Sequence, residues 1–296
     1  MAGRCAGKVA LITGASRGIG KALAVRLASE GATLGLVSRS LDTETFGSSM
    51  RDTLQQLDAM GARAVPVAAD LGDPTQSREA IVDAVEAELG PVDILVNNAM
   101  SSPYKFFADF TDDEIRFAQE VNVWAPWQLT RRVLPGMRER GEGWILNMSS
   151  GSAEIPGGPP YSELVGLRGT VYGGTKAMLN RWTVSLALEL VGSGVAANTL
   201  APQRSTATEA VSMFVEKGRL RAEDMEPIET MVEAALALCV CDPTELTGQV
   251  CYSLRLLEQL QRPVYDLGGE SLVDGWQPAD LPARIAAQNS GSLKVR

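Results

Sequence analysis

From residue 8 onward the chain alternates short runs of β-branched and apolar residues with longer amphipathic stretches: Val9 to Thr13, then Ile19 to Glu30, then Thr33 to Val37, and so on. Short apolar runs bounded by turn residues read as buried strands, and longer stretches with apolar residues three and four apart read as helices. Their strict alternation demands a parallel sheet, because a helical crossover returns each strand to the sheet in the direction of its predecessor. Further strands are expected at Ala64 to Ala68, Ile94 to Asn97, Trp144 to Met148, Ala196 to Ala201 and Gln249 to Tyr252. The fold class is therefore α/β, a Rossmann-type doubly wound parallel sheet of about seven strands, whose ligands sit beyond the carboxyl ends of the strands. Residues 1–262 read as one dinucleotide-binding and catalytic domain, with Gly151 to Gly169 as a long loop. Residues 263–296 lose periodicity and read as a C-terminal extension, an arm or a partly disordered tail.

Composition removes several function classes. With 27 basic against 36 acidic residues the net charge is −9, so nucleic acid is not an expected partner. No apolar run approaches the ~20 residues that cross a bilayer, and Met1 to Gly7 lacks a signal-like apolar stretch, so no membrane association and a cytoplasmic location are expected. Cys5, Cys239, Cys241 and Cys251 are not spaced as a zinc site and read as buried thiols. The chain contains no histidine, which removes the commonest general base and the usual activator of a nucleophilic serine. No metal is expected.

Between the first strand and the first helix stands Thr13-Gly14-Ala15-Ser16-Arg17-Gly18-Ile19-Gly20. Glycines there let the backbone turn sharply and approach a pyrophosphate, whose charge is met by the N–H groups at the helix start. The same letters fit G-x-S-x-G around Ser16, the elbow of an α/β-hydrolase, but no histidine exists to activate that serine. A turn without ligand is the plainer alternative. The second strand ends in Val37-Ser38-Arg39-Ser40, where an NAD-binding site would place an acid. Arg39 with Arg17 could clamp a 2′-phosphate, and Ser38 or Ser40 could add a hydroxyl, so NADP(H) is favoured over NAD(H). Solvated surface charge is the other reading of the two arginines, and Asp42 keeps NAD(H) in play.

Tyr172 and Lys176 are four residues apart on a helix expected to begin near Val171, which puts phenol and ammonium on one face. A fixed positive charge favours phenolate, and a shift of three units from the ordinary phenol value corresponds to ~4 kcal/mol. Tyr172 could then take and return an alcohol proton near neutrality. The strand Trp144 to Met148 delivers Ser149 and Ser150 to the same crevice, where Ser150 could hydrogen-bond the reacting oxygen or the pair could merely cap a loop.

Together these motifs resemble the short-chain dehydrogenase/reductase family, classical type, from about Gly7 to Tyr252. The family's cofactor turn is matched by Thr13 to Gly20 and its Y-x-x-x-K by Tyr172-Gly173-Gly174-Thr175-Lys176. Its catalytic serine falls on Ser150, its helix asparagine on Asn122, and its adenine-contacting acid on Asp70, followed by Leu71. The resemblance implies that Lys176 also binds the nicotinamide ribose and that Asn122 holds a water joining Lys176 to solvent. It implies cofactor contacts at Asn98, Ala99 and Pro202 and a homo-oligomer, tetramer or dimer; the threonine expected to touch the carboxamide is not at its usual place, and Thr206 and Thr208 are its nearby substitutes. Three features depart from the family pattern. Met100 replaces the glycine of N-N-A-G, Gln203 replaces the glycine after Pro202, and 22 positions separate Ser150 from Tyr172, implying an inserted stretch around Pro156 to Arg168. Tyr161, within it, has Val165 where a lysine would be needed.

The expected reaction is hydride transfer between NADP(H) and a secondary alcohol or ketone, with an apolar or cyclic substrate suggested by Ile155, Leu164, Met213 and Phe214 in the flanking loops. A 3-oxoacyl thioester is an alternative substrate. A catalytically silent dinucleotide-binding sensor or scaffold is the rival from another class.

Overall fold

The computed structural model describes residues 3–44, 47–158, 166, 169–216 and 221–291, with side chains for all of these except 213–214 and 287–291. Its sheet is built from β1 (Val9–Thr13), β2 (Thr33–Ser38), β3 (Ala64–Ala68), β4 (Ile94–Asn97), β5 (Gly143–Met148), β6 (Val195–Ala201) and β9 (Val250–Tyr252). All pairings are parallel, in the order β3-β2-β1-β4-β5-β6-β9. The expected strands fall where the sequence places them, with shifts of a residue at some ends.

Helices cover both faces because successive strand residues point opposite ways. Val9 and Leu11 pack with α3 (Arg78–Leu89), α5 (Ala125–Arg140) and the end of α6 (Gly174–Glu189). Ala10 and Ile12 pack with α1 (Gly18–Ser29) and α2 (Met50–Ala59). Strand order reverses between β1 and β4, so connections leaving their carboxyl ends part in opposite directions and open a crevice there. Around its rim run α4 (Asp112–Gln119), the short parallel pair β7 (Ser205–Thr206) and β8 (Met225–Glu226), and α7 (Glu209–Glu216).

The C-terminal region requires a correction. Helix α8 (Ile228–Cys239) is buried from Thr230 to Cys239; beyond Glu233 its sequence is apolar on every side, and the sheet can cover only one. The chain after β9 supplies the other cover. Helix α9 (Ser253–Gln259) buries Leu254, Leu256 and Leu257, and Val264 and Leu281 are fully buried in the same cluster. The Gln277 amide accepts from Val264 N at 3.2 Å and donates to Val264 O at 2.9 Å, and Tyr265 bridges Leu272. Helix α10 (Leu281–Gly291) ends the described chain. From residue 263 to 286 the expected arm is thus a packed cover on the domain, while residues 292–296 lie outside the described residues. A buried ion cluster pins this side together: Arg26 of α1 and Arg262 both bond Glu233 of α8, at 2.6 and 3.1 Å.

Candidate active site

The turn after β1 depends on two glycines with left-handed backbone, Gly14 (φ 67°) and Gly18 (φ 54°). Gly20 is required for a different reason. A Cβ there would stand 2.3 Å from Gly14 O and 2.5 Å from Asn98 Nδ2, so the helix start and the end of β4 meet only around a hydrogen. Asn98 Nδ2 donates to Thr13 O and Gly14 O, and the Thr13 hydroxyl accepts from the N–H groups of Asn98 and Ala99.

Beyond the strand ends lies a cleft of about 1220 Å³. The predicted residues Gly14, Ser16, Arg17, Gly18 and Ile19 line it from the turn, Ser38, Arg39 and Ser40 from the end of β2, and Asp70 and Leu71 from the end of β3. Asn98, Ala99, Ser150, Tyr172, Lys176, Pro202 and Thr206 complete the predicted set at its walls. Gly20 and Asn122 do not reach it: the first backs the turn, and the second is buried beneath the site.

At the β2 end, the Ser38 hydroxyl donates to Ser40 O at 2.7 Å, and Ser40 Oγ accepts from Thr43 N at 3.1 Å. These hydroxyls shape the turn that presents Arg39. Burial pulls the Arg17 pKa down, Glu209 opposes this, and Arg39 lowers it further, so the two guanidiniums repel each other across the rim. Asp42 is paired with Arg51 and is not part of the cleft wall.

At the other end, Lys176 is 2% exposed and its Nζ donates to Met148 O at 2.7 Å. Burial pushes its ammonium down to about 8, which still leaves it charged at neutral pH. Nζ stands 5.9 Å from the centre of the Tyr172 ring. Tyr172 itself sits in a π turn, Gly169–Gly173, ahead of α6, so the single α-helix expected from Val171 is corrected to a wider first turn followed by a regular helix. Its hydroxyl donates to Met100 Sδ at 3.5 Å, and its ring meets Tyr104 edge-on at 6.5 Å. Ser150 caps a short turn, its Oγ accepting from Ser152 N at 3.2 Å. A second π turn, Glu120–Trp124, holds Asn122, whose amide bonds both backbone groups of Ser101 and the Thr175 hydroxyl. Asn122 therefore braces the residue next to Lys176.

Residues 8–217 match the family model described as short chain dehydrogenase. The chain belongs to the short-chain dehydrogenase/reductase family. It is 33% identical over 276 residues to oxidoreductase UcpA of Escherichia coli (strain K12), covering 92% of this chain and 95% of that one. A 3-oxoacyl (acyl-carrier-protein) reductase from Agrobacterium tumefaciens C58, solved with NADP bound, superposes with a TM-score of 0.73 at 28% identity, covering 84% of this chain and 93% of that one. L-sorbose reductase from Gluconobacter frateurii, complexed with NADPH and L-sorbose, gives 0.72 at 28%, covering 85% and 97%. This short-chain dehydrogenase/reductase is an oxidoreductase, and its cleft suits an NAD(P) dinucleotide. The glycine cradle has no room for a Cβ at Gly20, and at the far end the buried Thr206 hydroxyl lines the cleft with no hydrogen-bond partner among the described residues.

Several residues that support the cleft wall of this family member from behind were not singled out from the sequence. Glu226 of β8 is fully buried, accepts from the Ser253 hydroxyl at 2.8 and 2.9 Å, and is pushed up to about 8 mainly by burial. Ser253 Oγ in turn accepts from Gln203 N, so this pair anchors the segment Pro202–Thr206 from behind. Tyr252 donates to Glu154 at 2.6 Å and ties down the loop after Ser150. Both links join residues tens of positions apart, and no local spacing signals them. Of the residues expected to make the pocket apolar, Ile155 is exposed at the cleft, Leu164 lies outside the described residues together with Tyr161, and the side chains of Met213 and Phe214 are likewise not described.

Proposed function

We propose that the protein transfers hydride between NADP(H) and a secondary alcohol or ketone, with Tyr172 as general acid and base. The observation that carries this reading is the buried Lys176 ammonium 5.9 Å from a phenol ring that lines the dinucleotide cleft beside Ser150. The positive charge favours phenolate, so Tyr172 can accept the alcohol proton in one direction and return it in the other. The Ser150 and Tyr172 hydroxyls donate to the substrate oxygen, where negative charge develops only as the carbonyl is reduced. Lys176 is held for this by Met148 O, and Asn122 steadies its helix through Thr175. When bound, the nicotinamide supplies or accepts the hydride.

In this reading Gly14, Ser16, Gly18 and Ile19 receive the pyrophosphate on a turn that Gly20 backs, Asp70 and Leu71 take the adenine, and Asn98, Ala99, Pro202 and Thr206 the nicotinamide half. An NADP(H) preference is supported by Arg17 and Arg39, which both line the cleft and feel each other's charge, while Asp42 is paired with Arg51. An apolar or cyclic ketone remains the first substrate class, and the fold likeness to a 3-oxoacyl reductase favours a 3-oxoacyl thioester as second. We place the reaction in the cytoplasm, consistent with four unpaired cysteines. No helix among the described residues is long and apolar enough to cross a membrane. Exposed Trp124, Trp127 and Met178 favour self-association, which light scattering would read as a dimer or tetramer.

The test is a panel of ketones, 3-oxoacyl thioesters and alcohols with each cofactor, after fluorescence titration of NADPH and NADH. Oxidation of NADPH in preference to NADH by a carbonyl supports the proposal. Tight NADPH binding with no turnover on any member would replace it with a silent sensor.

A further inference from the structure

Met100 stands where the family pattern has glycine, and it lines the cleft with 55% of its surface exposed. Its thioether accepts the hydroxyl of Tyr172 at 3.5 Å. An apolar side chain left open to solvent inside a cleft, in contact with the one phenol assigned a proton role, gains little from burial. We propose that Met100 is a site of reversible oxidation by peroxide and that its sulfoxide silences Tyr172. The silencing half rests on the proton role given to Tyr172 above.

Oxidation forms an S=O bond at the expense of the peroxide O–O bond. Sulfur loses two electrons, one peroxide oxygen stays on it, and the other leaves as water. Thiol-dependent sulfoxide reductases reverse the change. The thioether sulfur is a weak acceptor, whereas the sulfoxide oxygen is a strong one with negative charge directed outward. Placed against Tyr172 Oη, that oxygen holds the phenol protonated, competes with substrate for its hydrogen and crowds the cleft.

Thiol chemistry is suppressed in the same molecule. Burial raises Cys5 and Cys241 to about 11 and moves Cys239 and Cys251 upward too, so the peroxide-reactive thiolate is scarce. A thioether needs no deprotonation. Among the other methionines whose side chains are described, Met50, Met137, Met148 and Met231 are buried, Met225 is half-buried and does not line the cleft, and neither do the exposed Met60 and Met178.

Wild type and Met100→Leu are treated with hydrogen peroxide, quenched with catalase, and compared each with its own untreated sample. Peptide mapping should show one added oxygen on Met100 at least as early as on Met60 and Met178. Carbonyl reduction by wild type should fall about tenfold or more, the size of one strong competing hydrogen bond. Methionine sulfoxide reductases A and B should restore it, while Met100→Leu keeps its untreated rate. A readout independent of turnover is the phenolate absorbance that Tyr172→Phe removes, which should titrate about one unit higher after oxidation. Oxidation of Met60 and Met178 with Met100 spared, or equal inactivation of wild type and Met100→Leu, would overturn the proposal. A protein that reduces no carbonyl before treatment would instead defeat the hydride-transfer reading, and the mapping and phenol titration would then decide the modification alone.

Discussion

At the scale of single residues, Lys176 shows what the site costs the fold. A lysine with a folded pKa of about 8 against an ordinary value near 10.5 binds fewer protons folded than unfolded between those limits. Stability therefore rises with pH across that window, and the full penalty, on the order of 3 kcal/mol, applies below pH 8. The bond to Met148 O offsets part of it. Lys176→Met should accordingly abolish turnover at pH 7 while losing little or no thermal stability, and its melting temperature relative to wild type should fall from pH 7.5 to 10. A relative melting temperature flat across that range would contradict the buried ammonium. That Tyr172, Lys176 and Ser150 share one cleft was legible in the sequence, because each is marked by a short local pattern. The setting of Asn122 was not, since its partners Ser101 and Thr175 come from two other segments. Glu226 was hidden for the same reason, as a glutamate ahead of a proline looks like a surface turn until Ser253 closes over it.

At the scale of elements, the proposed cofactor preference rests on the β2 end. Ser38 spends its hydroxyl hydrogen on the turn and Ser40 Oγ accepts from Thr43 N, so the exposed Arg39 is the charged donor this proposal offers to a 2′-phosphate. Arg39→Ala should weaken NADPH binding about tenfold or more, the size of a charge-assisted pair, and leave NADH within about twofold. Equal loss for both cofactors by isothermal titration would assign Arg39 a structural role. The seven sheet strands were readable because their period and their glycine boundaries are local. The two π turns were not, because Glu120–Trp124 and Gly169–Gly173 carry no residue type that separates an i→i+5 turn from an α-helical one.

At the scale of the whole molecule, the cover over α8 decides where the domain ends. Apart from Glu229, Thr230 and Glu233, Ile228 to Cys239 is apolar on every side, which signals that something beyond the sheet must bury it. Leu281→Ala should lower stability by about 2–5 kcal/mol, as for a leucine in a core, whereas a detached arm would move it by under about 0.5 kcal/mol. Chemical denaturation reads the difference. The same architecture brings the glycine turn of β1, the arginines after β2 and the phenol ahead of α6 into one cleft, so binding and proton transfer are separable by substitution. The most direct measurement is therefore NADPH titration and carbonyl reduction in Tyr172→Phe, which deletes one oxygen and keeps the ring beside Lys176. If Tyr172 is the acid and base, NADPH affinity should stay within about twofold of wild type and turnover should fall by at least about a hundredfold, the contribution of a positioned acid–base group. Turnover close to wild type would contradict that role.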